Sequence, residues 1–82
     1  MNLSIFSVYD SKAKHFHAPY TLQNTAVALR AFSAAVNEPG SQMNQFPADF
    51  SLIEIGSYDD ATGVLTSINH VNHGPASQFI KE

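Results

Sequence analysis

Large apolar side chains recur at every second position near the start of the chain, then at helical spacing, then at every second position again, and this change of rhythm divides the sequence into elements. From Leu3 to Tyr9 the residues Leu3, Ile5, Ser7 and Tyr9 alternate with Ser4, Phe6 and Val8, which predicts a strand with apolar groups on both faces. Asp10-Ser11-Lys12 predicts a turn, because short polar side chains bond to the nearby backbone and release the chain from the strand. Residues 14 to about 20 predict a hairpin partner, irregular because Pro19 has no ladder donor and confines it to an edge or a strand end. Thr25, Ala28, Leu29, Phe32 and Val36 then share one side of a helix capped by Asn24 or Thr25 and ended by Pro39-Gly40.

The polar connection from Glu38 to Asp49 reads as a mobile surface loop. Phe50 to Tyr58 is the clearest strand, with Ile53 and Ile55 on one face and Phe50, Leu52, Glu54 and Tyr58 on the other. Asp59-Asp60-Ala61-Thr62-Gly63 turns it, and Val64 to about Val71 returns. From Asn72 a short tail carries Phe79 and Ile80, which need a docking place, on a partner or back on the sheet. The expected architecture is α+β: a ββαββ antiparallel four-stranded sheet with one helix on one face. It is a single domain over residues 1–82, with a sheet-plus-helix core over 1–71 and a tail over 72–82. One amphipathic helix covers only one face of such a sheet, so the second face is expected to serve as a dimer contact or a ligand surface.

Composition narrows the chemistry. A chain of 82 residues lies near the lower size at which one core suffices. Its charged residues, at 13%, are about half the usual ~25%. The net charge is −3 and the cations are Lys12, Lys14, Arg30 and Lys81, so one copy has too few to coat a phosphate backbone by charge. Arg30 reads as a solvated helix position and Glu54 as half of a cross-strand pair. The absence of cysteine removes disulfides, thiolate nucleophiles and sulfur-ligated zinc. The start of the chain has neither the basic beginning nor the apolar run of a signal peptide, and no stretch is long enough to span a membrane, so a soluble protein inside the cell is expected.

Four histidines form two pairs, His15 with His17 and His70 with His73, and imidazole pairs bind zinc or nickel, but no third and fourth ligands are specified. Asp59 and Asp60, with Asp10 and Asp49, suit turns better than a magnesium site. With no phosphate loop and no nucleophile setting, no enzyme, cofactor or metal is expected. The set that combines stacking surface with cations is Tyr9, Lys12, Lys14, His15, Phe16, His17 and Tyr20, since sheet aromatics stack on unpaired bases while nearby cations meet phosphates. The competing interpretation makes Tyr9 and Phe16 core or interface residues.

Three segments together carry a resemblance: Tyr9-Asp10-Ser11-Lys12, Ala28-Leu29-Arg30-Ala31-Phe32 in the helix, and Pro47-Ala48-Asp49 leading into the strand that ends in Gly56-Ser57-Tyr58-Asp59. The chain resembles the small nonstructural protein of gokushoviruses, the single-stranded DNA bacteriophages of the microvirus group, over nearly its whole length and more weakly after Val71. The resemblance implies an accessory protein of viral genome replication, acting in the making or handling of single-stranded DNA and binding that DNA or the replication initiator in the host bacterial cytoplasm. It implies no catalytic residues. A homodimer is expected from the uncovered face. The alternative function is a protein-interaction module that assists capsid assembly or modulates a host factor.

Overall fold

The computed structural model describes residues 1–81. The chain is α+β, with one antiparallel sheet and one main helix. The first strand, β1 (Asn2–Asp10), lies inside the sheet, flanked on one side by β4 (Phe50–Asp59) and on the other by two short strands, β2 (His15–Phe16) and β3 (Tyr20–Leu22). The strand β5 (Val64–Pro75) pairs with β4 and forms the far edge. The sheet therefore has five strands rather than the four expected, because the anticipated second strand is interrupted. Phe16 lies opposite Tyr9 and Tyr20 opposite Phe6, so four steps along one side match three along the other. The extra residue falls in the stretch that holds Pro19, which has no N–H to donate to β1. His17 still bridges the gap, donating its N–H to the Val8 carbonyl at 2.8 Å, while the buried Ser7 hydroxyl donates to the His17 carbonyl at 2.7 Å.

The helix α1 (Thr25–Val36) forms where the pattern predicts. Asn24 is its cap, its Oδ1 accepting from the Val27 N–H at 2.9 Å, and Ala28, Phe32 and Val36 are buried. The helix stops before Pro39-Gly40, at Asn37, whose Nδ2 donates to the Ser33 carbonyl at 2.7 Å. The following connection is more ordered in form than the loop expected. It holds a one-turn helix, α2 (Gln42–Gln45), capped by Ser41 accepting from the Asn44 N–H at 3.1 Å, and a 3-10 turn (Pro47–Asp49). Met43 packs against the core.

The core lies between α1 and one face of the sheet, where Phe6 and Val8 of β1 meet Phe50 and Leu52 of β4. Glu54 sits on the same face beside the core. Its Oε1 accepts from the Thr25 hydroxyl at 3.3 Å and from His73 Nε2 at 3.0 Å, so one carboxylate joins the helix start, β4 and β5. The tail also closes this side. β5 runs on to Pro75, beyond the expected Val71, and a 3-10 turn (Ala76–Phe79) folds back on the helix. Ala76 is fully buried, and the Phe79 ring meets Phe32 edge-on with centroids 5.2 Å apart. Asn37 holds the tail from both ends of its amide, donating to the Phe79 carbonyl and accepting from the Lys81 N–H, each at 2.8 Å. Phe79 thus finds its docking place within the chain rather than on a partner.

Two bulges decide what faces away from the helix. Ile5 pairs with Gly56 but Phe6 with Glu54, so Ile55 is an extra residue on β4. The alternation beyond it is shifted, and Tyr58, expected beside Glu54, comes opposite Leu3 on the face of Ile5 and Ile53. Between Ser67 and Val71, β5 carries Ile68, Asn69 and His70 against the single residue Ile55. Gly56 is fixed by this geometry, because a Cβ there would lie 2.6 Å from the Thr66 carbonyl oxygen. The hairpin beyond the bulges reaches past the helix and lengthens the molecule to 41 Å. Its radius of gyration of 13.0 Å exceeds the ~12 Å expected for a compact chain of this length.

Candidate nucleic-acid interface

Every residue from Ser11 to Tyr20 is exposed, so the predicted site segment lies open to solvent along the outer edge of β1. The turn that begins it is built by Asp10, whose Oδ1 accepts from the Lys12 N–H at 2.9 Å and the Ala13 N–H at 3.1 Å. The Asp10 carbonyl accepts from Lys14, which sits in the left-handed region at φ 61°. Ser11 anchors the turn to the rest of the fold through its N–H and hydroxyl, both bonded to the Asp49 carbonyl at 2.9 and 3.1 Å. Lys12 and Lys14 are thereby presented on one exposed turn. Asp10 and Asp49 line a shallow groove with Lys12, Phe46 and Phe50, and their charges oppose that of Lys12 there.

Strand alternation separates the predicted aromatic residues into two groups. Phe16 pairs with Tyr9 on the helix-free face, their rings 4.8 Å apart and inclined at 53°. Phe16 is 46% exposed. His15 and His17 point to the other side, with ring centroids 5.9 Å apart and His17 edge-on to the core ring of Phe50 at 5.9 Å. Tyr20 joins neither group. It lies beside Phe6 at 6.4 Å and borders an apolar groove of about 370 Å³ lined by Ile5, Ile55 and Leu65 on the helix-free face. Burial raises the Tyr20 phenol above its ordinary pKa, since taking the ring out of water disfavours the phenolate.

One residue of the cluster was missed in the sequence. His70, carried on the β5 bulge, meets Phe16 edge-on with centroids 5.7 Å apart. Since β1 and β4 lie between β2 and β5 in the sheet, this contact is made over the face of the sheet. Beneath lie Ser7 and Ile53, only 1% and 7% exposed although no helix covers them. The second face is therefore closed in the middle by the chain's own Phe16 and His70 and open toward the hairpin end. The spacing of His70 and His73 suggested a pair, but the bulge sends His70 to Phe16 and leaves His73 with Glu54. Among the described residues no group of three or more His, Asp or Glu side chains converges as a metal site. Asp59 and Asp60 serve the hairpin turn, where Asp59 accepts from the Ala61 N–H at 2.9 Å and, through its carbonyl, from Gly63 at 2.7 Å.

No described helix is long and apolar enough to cross a membrane. No curated protein and no solved structure matches the chain. A family model does match, over residues 3–77, which takes in the five strands but for Asn2, the helix and the first half of the tail turn. A chain carrying the turn at Asp10, the aromatic pair Tyr9–Phe16 and the bulged hairpin within that span belongs to the Phage ORF5 protein family.

Proposed function

We propose that this phage protein is a non-enzymatic accessory factor of viral genome replication that binds single-stranded DNA at the edge formed by β1 and β2. The observation that carries this reading is the exposure of Phe16, held between Tyr9 and His70 beside the Lys12–Lys14 turn. A ring supported from two sides offers a platform for an unpaired base at little cost in side-chain freedom. The two lysines lie within the same ten-residue segment and supply phosphate contacts. A site with two cations binds weakly and depends modestly on salt, in keeping with a protein that handles single strands without condensing them. Binding the replication initiator, proposed from the resemblance, would use the same exposed edge.

Fluorescence anisotropy with a labelled single-stranded oligonucleotide tests this. Phe16→Ala is expected to cost about 1–3 kcal/mol of binding, the range for one stacked base. With two phosphate contacts, log K should fall against log salt with a slope near −1.4, from about −0.7 per contact on single strands, and Lys12→Ala/Lys14→Ala should flatten it. Absence of binding by the wild-type protein at low salt would reject the proposal.

A further inference from the structure

The two edges of the sheet are finished differently. The outer edge of β1 is covered by β2 and β3, whereas β5 ends the strand order at the other side. Among the described residues, Val64 N–H, bonded to Thr62, is the one backbone group of Val64–Ser67 with a partner outside β4. A bare edge is a template for another strand, and proteins usually block it with lysine, mid-strand proline or a bulge. Here the twelve residues of β5 contain no Asp, Glu, Lys or Arg, and proline occurs only at the last position. The bulge at Ile68–His70 protects the middle of the strand. It leaves Val64–Ser67 regular and bare, with Leu65 70% exposed beside the apolar groove.

We propose that Val64–Ser67 pairs antiparallel with the same segment of a second copy of this chain about a two-fold axis. Charge selects the occupant. Val64–Ser67 holds no Lys, Arg or His, so nucleic acid finds no cation for its phosphates there, and a charged partner strand has nothing to neutralise it. A second copy brings a strand equally free of charge. It thus adds no repulsion at the contact, although each chain carries a net charge of −3. Antiparallel self-pairing is closed: with the axis at Leu65 that residue meets its symmetry mate, Val64 of each copy meets Thr66 of the other, and no edge remains there to propagate. The axis stands perpendicular to the sheet, so the helix-free faces of the two copies become one surface, and the two Leu65 side chains meet between their grooves. Four residues from each copy make a small contact, so the dimer is reversible and concentration-dependent. This inference stands apart from the nucleic-acid proposal and uses none of its residues.

Sedimentation equilibrium of the full chain provides the test. The wild-type mass should rise with concentration from 8.9 kDa toward twice that value. Leu65→Lys, which sets two ammonium groups against each other at the axis, should hold the mass at 8.9 kDa over the same range with an unchanged far-UV circular dichroism spectrum. A wild-type protein that stays monomeric, or a folded Leu65→Lys variant that dimerises as well as wild type, overturns the proposal. Should Leu65→Lys fail to fold, nitroxide labels decide the question, because the chain has no cysteine of its own. Dipolar broadening at Thr66→Cys but not at Ala34→Cys on the exposed side of the helix supports the pairing. Equal broadening at both sites, or none at Thr66→Cys, overturns it.

Discussion

The β4–β5 hairpin spans two environments within one pair of strands. In its first half Phe50 and Leu52 lie under the helix, Ala76 closes the far end, and Glu54 joins three elements through hydrogen bonds. In its second half, past Gly56, the strands pair just as regularly, yet Val64 and Leu65 stand in water. The same ladder of backbone hydrogen bonds serves both halves, so the ladder does not explain where the stability resides. Side-chain burial does, and it is confined to the helix end. The hairpin end contributes little to holding the fold and is free to carry surface.

Substitutions at matched positions measure that difference. The largest effect is expected at the helix end, where Phe32→Ala removes a ring packed on Phe79 and should cost about 3–5 kcal/mol in urea unfolding, a large share of the ~5–15 kcal/mol that holds a domain. At the junction, Gly56→Ala drives a methyl against the Thr66 carbonyl and should cost about 1–3 kcal/mol, as overpacking does. An unchanged midpoint for Gly56→Ala would mean that the hairpin end moves independently of the core.

A smaller effect, confined to alkaline solution, should come from Tyr20. Its folded pKa is raised by burial, so the stabilisation is fully present below the unfolded value of about 10 and is lost as pH rises through the folded value. Tyr20→Phe should remove that part of the alkaline loss, as followed by thermal unfolding across pH. The smallest effect belongs to Leu65→Ser, which in dilute protein should change stability by no more than about 0.5 kcal/mol, since the side chain is 70% exposed. A large loss there would erase the contrast between the two halves.

The features that local pattern determines were legible in the sequence. The helix follows from the spacing of Ala28, Phe32 and Val36 and the Asn24 cap, and the long hairpin from alternation around the Asp59–Gly63 turn. What escaped depends on distant partners. Pro19 did mark the second strand as irregular, but its division into β2 and β3 was not legible, since it involves Ser7 bonding to the His17 carbonyl, ten residues away. The shifts at Ile55 and at Ile68–His70 have no local signature beyond Gly56, whose constraint is set by Thr66 on the neighbouring strand. Helix α2 is one turn long, too short for periodicity to appear. For the candidate interface, Tyr9 and Phe16 were legible as members of one group because a hairpin joins their strands, and the structure sets them opposite each other. His70 was not, since a bulge and two intervening strands bring it to Phe16, and Tyr20 was grouped with residues from which the interruption separates it.

The Asn37 clamp and the buried Ala76 have a bearing on how the chain is made. The central strand β1 is synthesised well before its neighbour β4, which begins at Phe50, and the residues that seal the helix against the sheet are 76–79. During synthesis the core is unsealed, and apolar faces such as that of Phe32 stay uncovered until residues 76–79 have emerged. The core is therefore expected to be completed in one late step, once residues 76–79 can reach the helix.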